Sequence, residues 1–148
     1  MIPDAPTVLG GLARVLLTDL AAEVTSPYGN LTIQLGAGLL AMIAQDTERA
    51  AARLVEENDA IVALFRAGDG VVQDAALREA LRAASGATAT SLLLSDLRDR
   101  NRELRRLLTC LHAHVEDLDG VRALSLAEQI WSELVASTRR RQLDLAIG

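Results

Sequence analysis

Residues 31–67, thirty-seven in a row without a proline, constrain this chain more than any other stretch. Apolar or seam-facing positions fall at Ile43, Thr47, Ala50, Leu54, Asn58, Ile61 and Phe65, in steps of three and four that keep one stripe toward a partner. Arg49, Arg53, Glu56, Glu57 and Asp59 fall mostly off that stripe. The spacing predicts a long helix. Ser26-Pro27-Tyr28-Gly29-Asn30 opens it, with Asn30 as the expected N-cap, and Gly68-Asp69-Gly70 stops it. A continuous helix over this stretch would run on the order of 55 Å. It therefore implies antiparallel partners of similar length, or a break near Gly36 and Gly38.

The remaining segments supply such partners. A first helix is expected from Pro6 or Thr7 to about Val24, with Leu9, Leu12, Leu16 and Leu20 on one stripe. A shorter one is expected over Val71 to Ala84. The cleanest period follows: Leu97, Asn101, Leu104, Leu108, Leu111, Val115 and Leu118 form a heptad seam with one polar interruption, with Ser95 as its expected cap. In the last helix Leu124, Ala127, Trp131, Leu134, Thr138 and Leu145 share a frame that also contains Arg141. Five helical segments and no strand pattern predict an all-α antiparallel bundle of about five helices with long central helices, as a single domain over residues 1–148.

Composition excludes several functions. The net charge of −5 argues against a general nucleic-acid binder, because phosphate affinity comes from clustered positive charge. Tyr28, Phe65 and Trp131 are the only aromatic residues and leave no stacking platform for single strands. The one cysteine, Cys110, has no partner for an internal disulfide and suits a reducing, cytoplasmic setting. Met-Ile-Pro-Asp has no positive n-region, and the uncharged run from Val24 to Gln45 is interrupted by Pro27, Asn30, Gln34 and glycines, so neither a secretory signal nor a membrane span is expected.

The chemistry-bearing residues are few. Gly36-Ala37-Gly38-Leu39-Leu40-Ala41 fits a relaxed dinucleotide fingerprint, but the βαβ unit that gives the fingerprint its meaning is missing; close helix packing is the better account. Cys110 with His114, and His112 with Glu116, stand four apart, yet the two pairs point about 160° apart around a helix and do not converge on a metal. No nucleophile elbow, P-loop or zinc-protease motif occurs, so no catalytic residue, metal or cofactor is assigned. Two sets of candidates remain. Arg98, Arg102, Arg105 and Arg106 form a run that an anionic ligand can use, although five Arg meet five acids between Asp96 and Leu118. Asn58 and Asn101, in the seams of two long helices, can pair with each other, and Leu104, Leu111 and Trp131 are the expected interface anchors.

Pro6 to Glu23 as a proline-headed helix, then Tyr28, Leu31 and Ala41-Met42-Ile43-Ala44 followed by acidic Asp46 and Glu48, make residues 6–66 resemble a group of small, uncharacterised all-helical bacterial proteins associated with aminoglycoside-phosphotransferase-like kinases and acyl-CoA dehydrogenases. Gln45-Asp46 stands where that group's pattern has Arg-Glu. The resemblance implies an accessory role and brings no catalytic residue. The expectation is thus a non-enzymatic helical protein acting by homo-oligomerisation, as a homodimer, or as an accessory subunit of an enzyme. The alternative is a bundle with an Arg-lined pocket for a small anionic ligand.

Overall fold

A computed structural model describes residues 3–87 and 91–143. Among the described residues every regular element is helical. Helix α1 (Ala5–Val15) passes through a π-helical turn (Leu16–Leu20) into α2 (Ala21–Glu23); α3 (Pro27–Gly68), α4 (Ala75–Gly86), α5 (Leu94–Glu116) and α6 (Val121–Arg140) follow. With α1 to α2 taken as one segment, these are the five helical segments of the expected all-α bundle. Helix α3 continues through Gly36 and Gly38. Leu145 of the expected last-helix frame lies outside the described residues.

The helix starts differ in part from expectation. Asp4 accepts from the Thr7 amide at 2.8 Å, and Asp74 from the Leu77 amide at 2.7 Å, so an acidic side chain satisfies an orphan donor at both starts. Ser26, not Asn30, caps α3: its Oγ accepts from the Gly29 amide at 2.9 Å, while Asn30 lies inside the helix and donates from Nδ2 to the Val24 carbonyl. Ser95 is likewise inside α5, one residue past its first, and its hydroxyl donates to Asp96. The turn into α6 depends on Gly120, whose φ of +110° is a conformation that a side chain resists.

The chain divides into two compact units, residues 1–50 with 143–148 (unit 1) and residues 51–142 (unit 2). Unit 1 is a helical hairpin. Its three-residue link, Val24–Ser26, leaves α1 to α2 antiparallel to the first part of α3, and a side chain added at Gly36 would meet Leu16 at ordinary van der Waals distance. The π-turn closes with the Ala21 amide on the Leu16 carbonyl, and inside it the Thr18 hydroxyl hydrogen-bonds the Arg14 carbonyl and Asp19. The hydrophobic residues that this unit buries are alanines: Ala13, Ala37 and Ala50. Ile43 and Thr47, expected on the buried stripe of α3, are exposed; the stripe is buried only from Ala50 onward.

Unit 2 has the opposite composition. Ile61, Val62, Leu64 and Phe65 of α3 pack with Val72, Leu81 of α4, Leu104, Leu107, Leu108, Leu111 and Val115 of α5, and Ala123, Leu126 and Ile130 of α6. Each such side chain contributes roughly 1.5–3 kcal/mol when buried, so this cluster carries the fold. The α5 seam from Leu97 to Val115 is buried as its heptad predicts. Helix α6 departs from expectation by one column. Ala123, Leu126, Ile130 and Ser137 are buried, whereas Leu124 and Trp131 are exposed. Apolar residues stand side by side at 123/124, 126/127 and 130/131, so periodicity alone leaves the helix free to turn by one residue. The narrower column faces the core and the indole stays outside.

Asn58 and Asn101 do meet across α3 and α5. Asn101 Nδ2 donates to Asn58 Oδ1 at 2.9 Å, and Asn58 Nδ2 lies 3.4 Å from the Leu97 carbonyl. Both are buried, so each amide fixes the other helix's position along its axis. Asn101→Leu alone should cost about 1–3 kcal/mol, because it strands a buried Asn58 oxygen, and the added cost of Asn58→Leu on top should be far smaller than its cost alone. Urea unfolding of the two single variants and the double variant measures this coupling.

Candidate functional site

The polar line continues beyond the asparagines. Glu57 stands one residue before Asn58 on α3, which turns its side chain about 100° around the helix. Only 1% of the residue is exposed. Two guanidinium groups hold its carboxylate. Arg105 Nε of α5 donates to Oε1 at 2.5 Å, and Arg141 Nη2, just past α6, reaches Oε1 and Oε2 at 3.1 and 2.9 Å. Arg105 Nη2 also donates to the Ser137 hydroxyl of α6 at 2.7 Å. Three helices are thereby tied to one buried charge.

Burial by itself pushes the Glu57 carboxyl up. The hydrogen bond and charge of Arg105, the Asn101 amide and the charge of Arg141 outweigh it and hold the group below its ordinary value of 4.5. A carboxyl whose folded value is depressed contributes stability that is complete above its unfolded value and is lost as pH falls through the folded one.

Beside this cluster lies a pocket of about 130 Å³. Ile61, Leu108, Ile130 and Leu134 make its apolar wall; Glu57, Arg105 and Ser137 form one polar end, and Thr109, His112 and Glu133 the rest of the lining. Glu133 is already held by Arg140 through two hydrogen bonds, at 2.7 and 3.1 Å. His112 meets the edge of Trp131 with ring centroids 5.1 Å apart. Its Nε2 is buried without a hydrogen bond: Glu116 comes within 3.5 Å, but out of hydrogen-bonding geometry.

Of the four candidate arginines the structure brings Arg105 alone to the pocket. Arg98 is exposed, Arg102 pairs with Asp99 at 2.8 Å, and Arg106 pairs with Glu103 at 2.9 Å, all on the solvent side of α5. Of the candidate interface anchors, Leu104 and Leu111 are 3% and 0% exposed within the unit 2 core, and Trp131 is 56% exposed. The heptad explains the burial of the two leucines, since the positions that make a clean seam are those the chain's own helices consume. Glu57, Ser137 and Arg141 carry no motif. Arg141's place in the α6 frame was the one sequence signal that pointed inward. Among the described residues no three metal-ligating side chains converge; His114 accepts from the Gln73 amide at 3.1 Å, and Cys110 is exposed.

Unit 1 presents a second candidate surface. Ten of the sixteen exposed large hydrophobic residues of the described chain belong to it, among them Val8, Leu12, Leu31, Leu35, Leu39 and Ile43. An open groove of about 720 Å³ runs between its helices, lined by Ala13 and Leu17 on one side and by residues of α3 between Leu31 and Met42 on the other. No charged side chain lines it. The segment Ala5–Glu23, 19 residues, is long and apolar enough to cross a membrane by length and composition, a test that signal sequences and the helices of soluble bundles also pass.

Compared with protein-family models, curated proteins and solved structures, the chain matches none.

Replacing Arg105 by Gln should cost about 2–3 kcal/mol in chemical unfolding, because Glu57 is then buried with one partner fewer, while Arg102→Gln should stay within about 0.5 kcal/mol. Glu57→Gln should also flatten the loss of stability on acidification below about pH 4.5, the group's ordinary value, relative to the unmodified protein. Denaturant midpoints measured from neutral pH downward check both.

Proposed function

We propose that this protein works by association, as a homodimer formed through unit 1. The observation that carries the reading is the contrast between what this unit buries, three alanines, and what it leaves in water, ten large hydrophobic side chains. A helix that is apolar on all sides needs a covering surface. Leu31, Leu35, Leu39 and Ile43 stand four apart and form a ridge along α3, and Leu31, Leu35 and Leu39 also wall the groove beside it. A ridge next to a groove is self-complementary: under a two-fold axis each copy's leucines enter the other's groove.

The area agrees. The four ridge residues present roughly 70–100 Å² apiece, or about 280–400 Å² per copy, so the groove walls supply the rest of the roughly 800 Å² per partner of a stable complex. A membrane is the weaker occupant, because Arg14 and Asp19 fall within Ala5–Glu23 and each costs about 2.5–3.5 kcal/mol at a bilayer centre. An accessory role beside an enzyme, which the resemblance over residues 6–66 implies, is compatible with the same dimer.

Light scattering after size exclusion should give twice 15.8 kDa at micromolar concentration. Leu35→Glu with Leu39→Glu should give a monomer of unchanged helicity, since neither residue belongs to the unit 2 core. A monomer for the unmodified chain, an unshifted dimer for the double variant, or stable partitioning into neutral vesicles would each overturn the reading.

A further inference from the structure

Among the residues that line the groove of unit 1, Gln34 alone has a side chain that hydrogen-bonds. It is exposed and makes no hydrogen bond to any described residue. Closing the dimer covers it, and a covered primary amide must find a partner to replace the water it loses. We infer, resting on the dimer formed through unit 1, that Gln34 is the positioning residue of that interface. It pairs with the Gln34 of a second copy across the two-fold axis and thereby fixes how the two copies align.

The ridge that enters the groove offers Gln34 no other partner. Leu31, Leu35, Leu39 and Ile43 carry no polar side-chain atom, and the Thr32 hydroxyl beside them is engaged by the Tyr28 carbonyl at 2.9 Å. Inside a continuous helix the backbone groups of α3 are engaged with each other. A primary amide is both donor and acceptor, so two of them related by a two-fold axis close both bonds at once, each Nε2 donating to the other's Oε1. A residue that meets its own copy lies on that axis. Leu31 stands three residues before Gln34 and Gly38 four residues after it, on the same face of α3. With the copies antiparallel about Gln34, Leu31 of each lies over Gly38 of the other. A Cβ added at Gly38 would meet nothing within 4 Å, so the space for that leucine is open. A parallel pairing would set leucine against leucine and leave both grooves unfilled. One amide pair in an apolar interface specifies its register, as Asn58 with Asn101 does inside unit 2.

Cross-linking of the full chain reads this alignment. Cys110 is the one cysteine, and Cys110→Ser gives a background without thiols. On that background Gln34→Cys should form a disulfide-linked dimer under mild oxidation, because a residue on the axis brings its two Cα atoms within the roughly 4.4–6.8 Å that a disulfide spans. A mixture of Leu31→Cys with Gly38→Cys should link one copy to the other, whereas Leu31→Cys alone should give about tenfold less covalent dimer. Adding Gln34→Leu should preserve the dimer and lose its single alignment, so that Leu31→Cys then cross-links with itself. Absence of a covalent Gln34→Cys dimer while light scattering finds a dimer, self-linking of Leu31→Cys with Gln34 in place, or an unchanged linkage pattern on adding Gln34→Leu would overturn this inference and leave the dimer standing. A monomer by light scattering would overturn both.

Discussion

One buried carboxylate sets the terms for unit 2. Taking Glu57 out of water costs several kcal/mol unless its charge is met, and Arg105 and Arg141 meet it from α5 and from the end of α6. Ser137 and the Asn58–Asn101 pair extend the same constraint. Leucine packing tolerates small slides of one helix along another, because a methyl group is satisfied by many neighbours. A hydrogen-bonded ion pair is not. The core provides most of the stability, and the polar line selects one arrangement of α3, α5 and α6 among those the core would accept.

The same residues shape the pocket. Side chains that must stay hydrogen-bonded cannot collapse to fill space, so a wall made of Glu57, Arg105 and Ser137 keeps a gap beside Ile130 and Leu134 that an all-leucine interior would close. Arg105 is thus held for structural reasons at the polar end of the pocket.

The two units solve the burial problem in different ways. Unit 2 encloses its large side chains and exposes few, Trp131 and Leu124 among them. Unit 1 has a single hairpin, and a hairpin has only one internal face; alanine and glycine on that face bring the helices close and leave the leucines outside. Small residues inside and large ones outside are unfavourable for an isolated hairpin and favourable for one half of a four-helix arrangement. The π-turn at Leu16–Leu20 belongs to this logic, since an extra residue in the turn changes which side chains of α1 and α2 share a face.

The sequence by itself determined the helices, the all-α class and the buried column of α5, because each of these is a property of one segment's periodicity and needs no knowledge of its neighbours. Leu97, Asn101, Leu104, Leu108, Leu111 and Val115 were legible for that reason. What only the tertiary structure decided was everything that depends on two helices at once. The rotation of α6 was undetermined because two adjacent columns are both apolar. The inward turn of Arg105, against the outward turn of Arg98, Arg102 and Arg106, depended on an acid lying opposite on another helix, and Glu57 looks in sequence like any other charge beside a seam. The exposure of unit 1 was equally hidden, since Leu35 and Leu39 have the composition of a core and only the absence of a neighbouring helix within the described chain leaves them in water.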